Sequence, residues 1–217
     1  MVNLVARTSM SDRDDEAARK RAAILQPYGH EGIRQIPGLT YLPDFITEKE
    51  ERCCLARIDR SEWSGELERR VQHYGYRYDY RARRVEASMF LGELPEWLQA
   101  ISERLATSRL FDAPPNQVIV NEYRPGQGIS PHVDCVPCFG DTIASLTLQS
   151  GCVMEFRQLR SRVLMSLWLA PCSLVVLRGG ARYEWSHSIP KRMKDVIVDQ
   201  IIPRGRRVSM TFRQVLR

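Results

Sequence analysis

His132-Val133-Asp134 places two potential metal ligands two residues apart, and His187 offers a third, far enough downstream for several strands to intervene. On an extended segment the side chains of His132 and Asp134 leave the same face, so both can reach one ion. Two imidazoles and one carboxylate make the facial triad of a non-haem Fe(II) oxygenase, with three octahedral positions left for O2 and a bidentate cosubstrate. The chain has only four histidines, and the other two, His30 and His73, lie in polar stretches without ligand company. An H-x-D pair alone is a weak signal. Cys135-Val-Pro-Cys138 follows it directly and offers a competing chemistry, zinc binding or thiol redox. Structural zinc would want a second pair at similar spacing, and Cys152 and Cys172 stand apart in apolar stretches. Cys135 and Cys138 therefore read first as inert packing residues.

Arg207-Val-Ser-Met-Thr-Phe-Arg213 alternates cleanly. Arg207, Ser209, Thr211 and Arg213 share one face, and Val208, Met210 and Phe212 share the other, which is expected against the core between sheets. Arginines buried on the opposite face of a barrel need anions, because unpaired buried charge is strongly unfavourable. The two arginine Cα atoms lie roughly 20 Å apart on a strand, and inward-leaning arms leave space for a short diacid, alone or beside the ligand aspartate. An exposed basic edge strand is the plainer alternative. Upstream, Asn121 and Tyr123 share a strand face before Pro125-Gly126 turns the chain towards His132. An amide and a phenol beside an anion site are suitable carboxylate donors.

Elements that could position these groups follow from the hydrophobic period. From Gln117 onward it is two: QVIVNEY, TIASLTLQ, CVMEFRQ, VLMSLWL, SLVVLRG, DVIVDQII and RRVSMTFRQV read as short strands between Gly, Pro and charged turns. Before them, Leu39 to Leu42 reads as a strand, Thr47-Glu-Lys-Glu50 as a capping box opening a helix towards Ile58, and Pro95 as the start of a second helix. Trp97, Leu98, Ile101 and Leu105 give that second helix one apolar face. Helices first and antiparallel strands after predict a mainly-β α+β fold, a double-sheet jelly roll with the helices packed outside one sheet. Residues 1–35 read as a polar extension, disordered or carrying a short helix from Asp12 to Leu25, and 36–217 as the single catalytic domain. Trp185, two before His187, reads as a core residue.

Composition bounds the rest. A chain of 217 residues can bury one substantial core, and no apolar run is long enough to span a membrane. The N-terminus lacks a signal-peptide h-region, and the cysteines lack the spacing of a disulfide framework, so a reducing compartment, most simply the cytosol, is expected. Net charge is +6 with a pI of about 9.1. The charge gathers in RRVQHYGYRYDYRARR (69–84), which interleaves tyrosines with Arg69, Arg70, Arg77, Arg81, Arg83 and Arg84. Such a stripe suits phosphates flanked by stacked bases; a solvated amphipathic hairpin is the alternative. Residues 63–90 are accordingly expected to form a substrate lid, with Tyr76 and Tyr78 as stacking candidates.

Taken in order, N-x-Y-x-P-G-x-x-I-x-x-H-x-D, S-L-T-L, W-S-H and R-x-S-x-T-x-R resemble the AlkB family of Fe(II)/2-oxoglutarate dioxygenases, from about Leu39 to the C-terminus. RRVQHYGY and Arg178-Gly-Gly-Ala-Arg-Tyr-Glu-Trp-Ser-His187 look closer to the animal members fused to a tRNA methyltransferase. The resemblance implies a double-stranded β-helix, iron on His132, Asp134 and His187, and 2-oxoglutarate held by Asn121, Tyr123, Arg207, Ser209 and Arg213. Within that set it implies Arg207 and Tyr123 at the distal carboxylate and Arg213 and Asn121 nearer the keto-acid end. It further implies oxidative demethylation of alkylated bases in single-stranded or flipped-out DNA or RNA by a monomer consuming O2. Hydroxylation of tRNA, or oxidation of a protein or small molecule, remains the alternative.

Overall fold

Thr47 opens the first helix reciprocally. Its hydroxyl accepts from the Glu50 amide at 3.2 Å, while the Glu50 carboxylate accepts from the Thr47 amide at 2.8 Å, capping α1 (Glu48–Arg60). Helix α2 (Glu96–Thr107) follows Pro95 and buries Leu98, Ile101 and Leu105. The computed structural model describes residues 35–197 and 200–216; the expected helix from Asp12 to Leu25, and all but the last residue of the 1–35 extension, lie outside them.

Ten of the described strands form two antiparallel sheets. The major sheet runs β1 (Leu39–Leu42), β8 (Leu174–Leu177), β5 (Phe139–Gln149), β12 (Arg207–Val215), β3 (Gln117–Tyr123) and β2 (Arg70–Tyr74). The minor sheet runs β4 (Ile129–His132), β9 (Trp185–Ile189), β6 (Cys152–Gln158) and β7 (Leu164–Leu169). One apolar cluster joins Ile143, Val175 and Leu177 of the major sheet to Met154, Phe156 and Leu167 of the minor, and so fills the space between them. Trp185, 6% exposed, belongs to it, as a core residue should. The architecture is a mainly-β jelly roll with helices outside one sheet.

The second cluster corrects one expectation. Val208, Met210 and Phe212 do not face the space between the sheets; they pack with Ile58, Leu98 and Leu105 beneath α1 and α2. The helices need an apolar floor, and the outer face of β12 supplies it. Leu105, fully buried there, should cost about 2–5 kcal/mol on truncation to alanine. The opposite face of β12, with its arginines, is left looking inward. DVIVDQII also differs from its reading as one strand: it gives β10 (Lys194–Ile197) and β11 (Gln200–Pro203), a hairpin apart from both sheets. Arg204 anchors it, donating to both oxygens of the fully buried Asp195 at 2.6 and 2.8 Å.

Two glycines allow close backbone approaches, Gly128 at the cavity and Gly75 at the end of β2. A Cβ on Gly128, just before β4, would lie 2.1 Å from the Ile189 carbonyl, and one on Gly75 would lie 1.9 Å from the Asn116 carbonyl. Gly75 also holds φ at +77°, a left-handed conformation that ends β2 and breaks the alternation of the tyrosine segment.

Candidate active site

β4 and β9 pair antiparallel with His132 directly opposite His187, and their ring centres lie 4.3 Å apart. Asp134 sits just past β4 with one carboxylate oxygen 3.5 Å from His132 Nε2. One ligand atom from each of the three residues lies within 4.8 Å of the others. The Ser130 carbonyl accepts a 2.8 Å hydrogen bond from His132 Nδ1, which orients the ring and leaves Nε2 for a metal. Burial, reinforced by His132, pushes the His187 imidazole down to about 3, so the ring is neutral and can ligate. Burial opposes the Asp134 charge, yet Arg213 and the two imidazoles hold its carboxyl well below the usual range. His187 and Asp134 are thus in their ligating protonation states.

The strand register assembles the anion site. β12 pairs with β3 so that Arg207 faces Tyr123, Ser209 faces Asn121 and Arg213 faces Gln117. Arg207 is 3% exposed; its Nη2 donates to Thr147 Oγ1 at 2.9 Å, and its Nε and Nη1 are buried without an acceptor among the described residues. A buried cation with two unused donors is unfavourable unless an anion joins it. Arg213 instead donates from Nε to Asp134 Oδ2 at 3.1 Å, tying the anion site to the metal site. Asn121, Tyr123, Arg207, Ser209, Arg213 and the triad line one cavity of about 690 Å³ between the sheets.

Residues 38–213 match the family described as the 2OG-Fe(II) oxygenase superfamily. The chain belongs to that superfamily. Its relatives mark it as an AlkB-family member. It is 41% identical over 203 residues to "Alkylated DNA repair protein ALKBH8 homolog" of Arabidopsis thaliana, covering 83% of this chain and 59% of that one. It is 35% identical to "tRNA (carboxymethyluridine(34)-5-O)-methyltransferase alkbh8" of Xenopus tropicalis, covering 82% of this chain and 32% of the relative. The chain therefore spans from a third to about three fifths of the length of these relatives. The solved structure of OsALKBH1 superposes with a TM-score of 0.63 at 16% identity, over 82% of this chain and 97% of that one, a likeness of fold.

This 2OG-Fe(II) oxygenase is an enzyme whose cofactors are Fe(II) and 2-oxoglutarate. The residues present fit both. Two imidazoles and a carboxylate suit Fe(II) with open positions, and the unpartnered nitrogens of Arg207 suit a carboxylate. When bound, Fe(II) and 2-oxoglutarate together supply an oxidant from O2, with succinate and CO2 as co-products.

An aromatic and cationic wall crosses the cavity from one strand arginine to the other. Arg213 lies over Phe139 at 4.8 Å, Phe139 meets Tyr78 at 5.7 Å, and Tyr78 meets Tyr80 edge-on at 5.1 Å. Arg69 then bridges Tyr80 and Tyr123, 6.0 and 5.8 Å from their centres, and Arg207 lies 5.4 Å from Tyr123. Of the expected substrate residues, Arg69, Tyr78 and Arg83 line the cavity. The structure does not bring the others there. Arg70 turns to the outer face and donates to both oxygens of Glu122 at 2.7 and 2.8 Å. Tyr76 is 4% exposed and packs on Phe90 at 5.0 Å, a core role in place of stacking. Arg77, Arg81 and Arg84 are exposed outside the lining, Arg77 beside Glu66 and Arg84 beside Glu86.

Sequence reasoning missed Tyr80, Thr147 and Arg182. Tyr80 carries the same parity as Tyr76 and Tyr78, but Gly75 ends the strand, so parity no longer reports the face. Thr147 sits opposite Ser209 on β5, and strand pairing across the sheet is what reveals it. Arg182, 2% exposed, donates to the Asp134 and Cys135 carbonyls at 2.9 and 3.3 Å and so fixes the backbone of the ligand turn. The cysteines of that turn need a correction as well. Cys135 and Cys138 are joined as a disulfide, with Cα atoms 5.3 Å apart. The turn itself brings them together, the Cys138 amide donating to the Cys135 carbonyl at 3.3 Å. Neither inert packing thiols nor a zinc pair describes them. No helix among the described residues is long and apolar enough to cross a membrane.

Proposed function

We propose that this enzyme oxidatively demethylates alkylated bases in DNA or RNA, releasing formaldehyde. The observation that carries the reading is the wall of Arg69, Tyr78, Tyr80 and Arg83 lining the same cavity as the triad. Aromatic faces accept a planar base, and the neighbouring guanidiniums suit its polar edge and its phosphates. A base inside a duplex cannot reach a ligand set enclosed between two sheets, so the substrate is single-stranded or has its target base flipped out. In this reading Arg207 and Tyr123 hold the distal carboxylate of 2-oxoglutarate, with Arg213, Asn121 and Ser209 towards its keto-acid end. Residues 63–90 act as the lid over the base.

The test loads the protein anaerobically with Fe(II), admits O2 with 2-oxoglutarate, and measures formaldehyde and succinate from methylated single-stranded DNA and RNA in parallel. The expected result is formaldehyde matched by succinate, both lost in His132→Ala. The similarity to the Xenopus relative, named for carboxymethyluridine in tRNA, favours a second reading as a tRNA hydroxylase. Succinate coupled to a hydroxylated tRNA nucleoside, with no formaldehyde, would establish that instead.

A further inference from the structure

Tyr80 carries a phenol oxygen that is buried and has no hydrogen-bond partner among the described residues. A buried hydroxyl without a partner is unfavourable, and in a cavity wall it marks a place where a ligand atom completes the bond. The ring is braced on two sides, by Tyr78 edge-on at 5.1 Å and by His73 edge-on at 5.8 Å. Burial pushes this phenol up to about 12, so it keeps its proton and can donate. Arg69 stands next to it, its guanidinium 6.0 Å from the Tyr80 ring centre. Arg69 donates from Nε to Asn121 Oδ1 at 2.9 Å, and it has no carboxylate partner among the described residues.

The charges lining the cavity sharpen the point. Five cations, Arg69, Arg83, Lys191, Arg207 and Arg213, face two carboxylates, Glu68 and Asp134. Lys191 pairs with Glu68 at 2.6 Å and Arg213 with Asp134 at 3.1 Å. Fe(II) and the 2-oxoglutarate dianion cancel in charge, which leaves Arg207 at the cosubstrate and Arg69 and Arg83 away from it. Positive charge from Arg69 and Arg83 therefore remains where the base would enter. In a partly desolvated cavity, such charge repels a cation and attracts the oxygen of a carbonyl or an anion.

We propose that Arg69 and Tyr80 form a base-selecting subsite of paired donors, which favours neutral alkylated bases presenting carbonyl oxygens over methylated bases carrying a positive charge. The proposal rests on the reading that the substrate is an alkylated base. 3-Methylthymine and 1-methylguanine are of the first kind; 1-methyladenine and 3-methylcytosine, cationic at neutral pH, are of the second. Each favoured base presents a carbonyl that accepts from the Arg69 guanidinium or the Tyr80 phenol. Of the cationic bases, 1-methyladenine has no carbonyl, and 3-methylcytosine keeps only its O2 on a ring whose positive charge the Arg69 guanidinium repels.

The test measures binding without turnover. The full chain is loaded anaerobically with Fe(II) and 2-oxoglutarate and titrated with single-stranded oligonucleotides bearing one central modified base of each kind. The wild-type protein should bind the neutral bases about tenfold tighter than the cationic ones, as expected for one charge-assisted hydrogen bond, and Arg69→Gln and Tyr80→Phe should each remove most of that ratio. A wild-type ratio at or below one would overturn the subsite. So would uniformly weaker binding in Arg69→Gln at an unchanged ratio, which would make Arg69 a phosphate contact. An equal loss of 2-oxoglutarate affinity in Arg69→Gln would assign that side chain to the cosubstrate and also overturn it. Admitting O2 to the same complexes separates the two readings. A ratio that behaves as expected without formaldehyde supports the subsite and defeats demethylation.

Discussion

On the outer face of the major sheet, Arg70 and Arg206 both close on Glu122, at 2.7 and 2.6 Å, and Arg206 also reaches Asp59 of α1 at 2.5 Å. On the inner face, Arg207 presents two buried nitrogens to no acceptor among the described residues, and Arg69 meets only an amide oxygen. The two faces are one residue out of phase, so neighbours in sequence, Arg69 and Arg70 or Arg206 and Arg207, do opposite work. Outer arginines are matched within the chain and hold α1, β2 and β3 together. On the inner face Arg213 meets the ligand Asp134, and Arg207 and Arg69 are left to be matched by what binds. Arginine count alone cannot distinguish these roles; the presence or absence of a nearby carboxylate does.

The largest effect should come from Arg207→Met. Losing charge-assisted hydrogen bonds to a carboxylate should weaken 2-oxoglutarate binding about 100-fold, measured by calorimetry. Without cosubstrate the variant should melt no lower than wild type, because a buried charge with unused donors has been removed. A clear fall in that melting temperature would break the contrast, since it would make Arg207 a structural residue like Arg70.

Glu122→Gln probes the outer face and should show the reverse pattern. It should cost about 1–3 kcal/mol of stability in denaturant titrations, while turnover per folded molecule stays near wild type. Its pH dependence has a definite sign. Hydrogen bonding from Arg70, helped by Arg206, holds the Glu122 carboxyl below its ordinary value of 4.5. A depressed folded-state pKa contributes stability that is complete above the unfolded pKa and lost as pH falls through the folded one. The gap between wild type and Glu122→Gln should therefore be constant near neutrality and close in acid below 4.5. A gap that widens in acid would sink the assignment.

The smallest effect belongs to the exposed end of the lid. Replacing Arg81 and Arg84 together by glutamine should leave melting within about 0.5 kcal/mol. It should lower affinity for single-stranded nucleic acid only modestly, flattening the slope of log affinity against log salt by about 1.4 if both meet phosphates. An unchanged slope would confine recognition to the cavity and sharpen the contrast between lined and solvated arginines.

Much of the site could be read before folding. The ligand types and spacing at His132, Asp134 and His187 specify a metal chemistry, and the alternation of β12 sets Arg207, Ser209 and Arg213 on one face. Thr47 with Glu50 and the apolar face of α2 were equally plain, because capping and amphipathicity act within a few residues. The tyrosine segment was harder. Beyond Gly75 the chain follows turns and isolated bridges, so Tyr76 enters the core while Tyr78 and Tyr80 face the cavity.

The sequence by itself determined which groups could do chemistry and which of them share a strand face, because local backbone geometry fixes those relations. Tertiary structure alone decided which face looks inward. Both faces of β12 are buried, so neither its hydrophobic pattern nor its charge declares that the apolar side floors the helices and the arginines face the cavity. It also decided that His132 stands across from His187, that Arg213 reaches Asp134, and that Arg70 finds Glu122 while Arg69 does not. Those relations depend on strand register between segments far apart in the chain, and register is set by the packing of the whole double sheet.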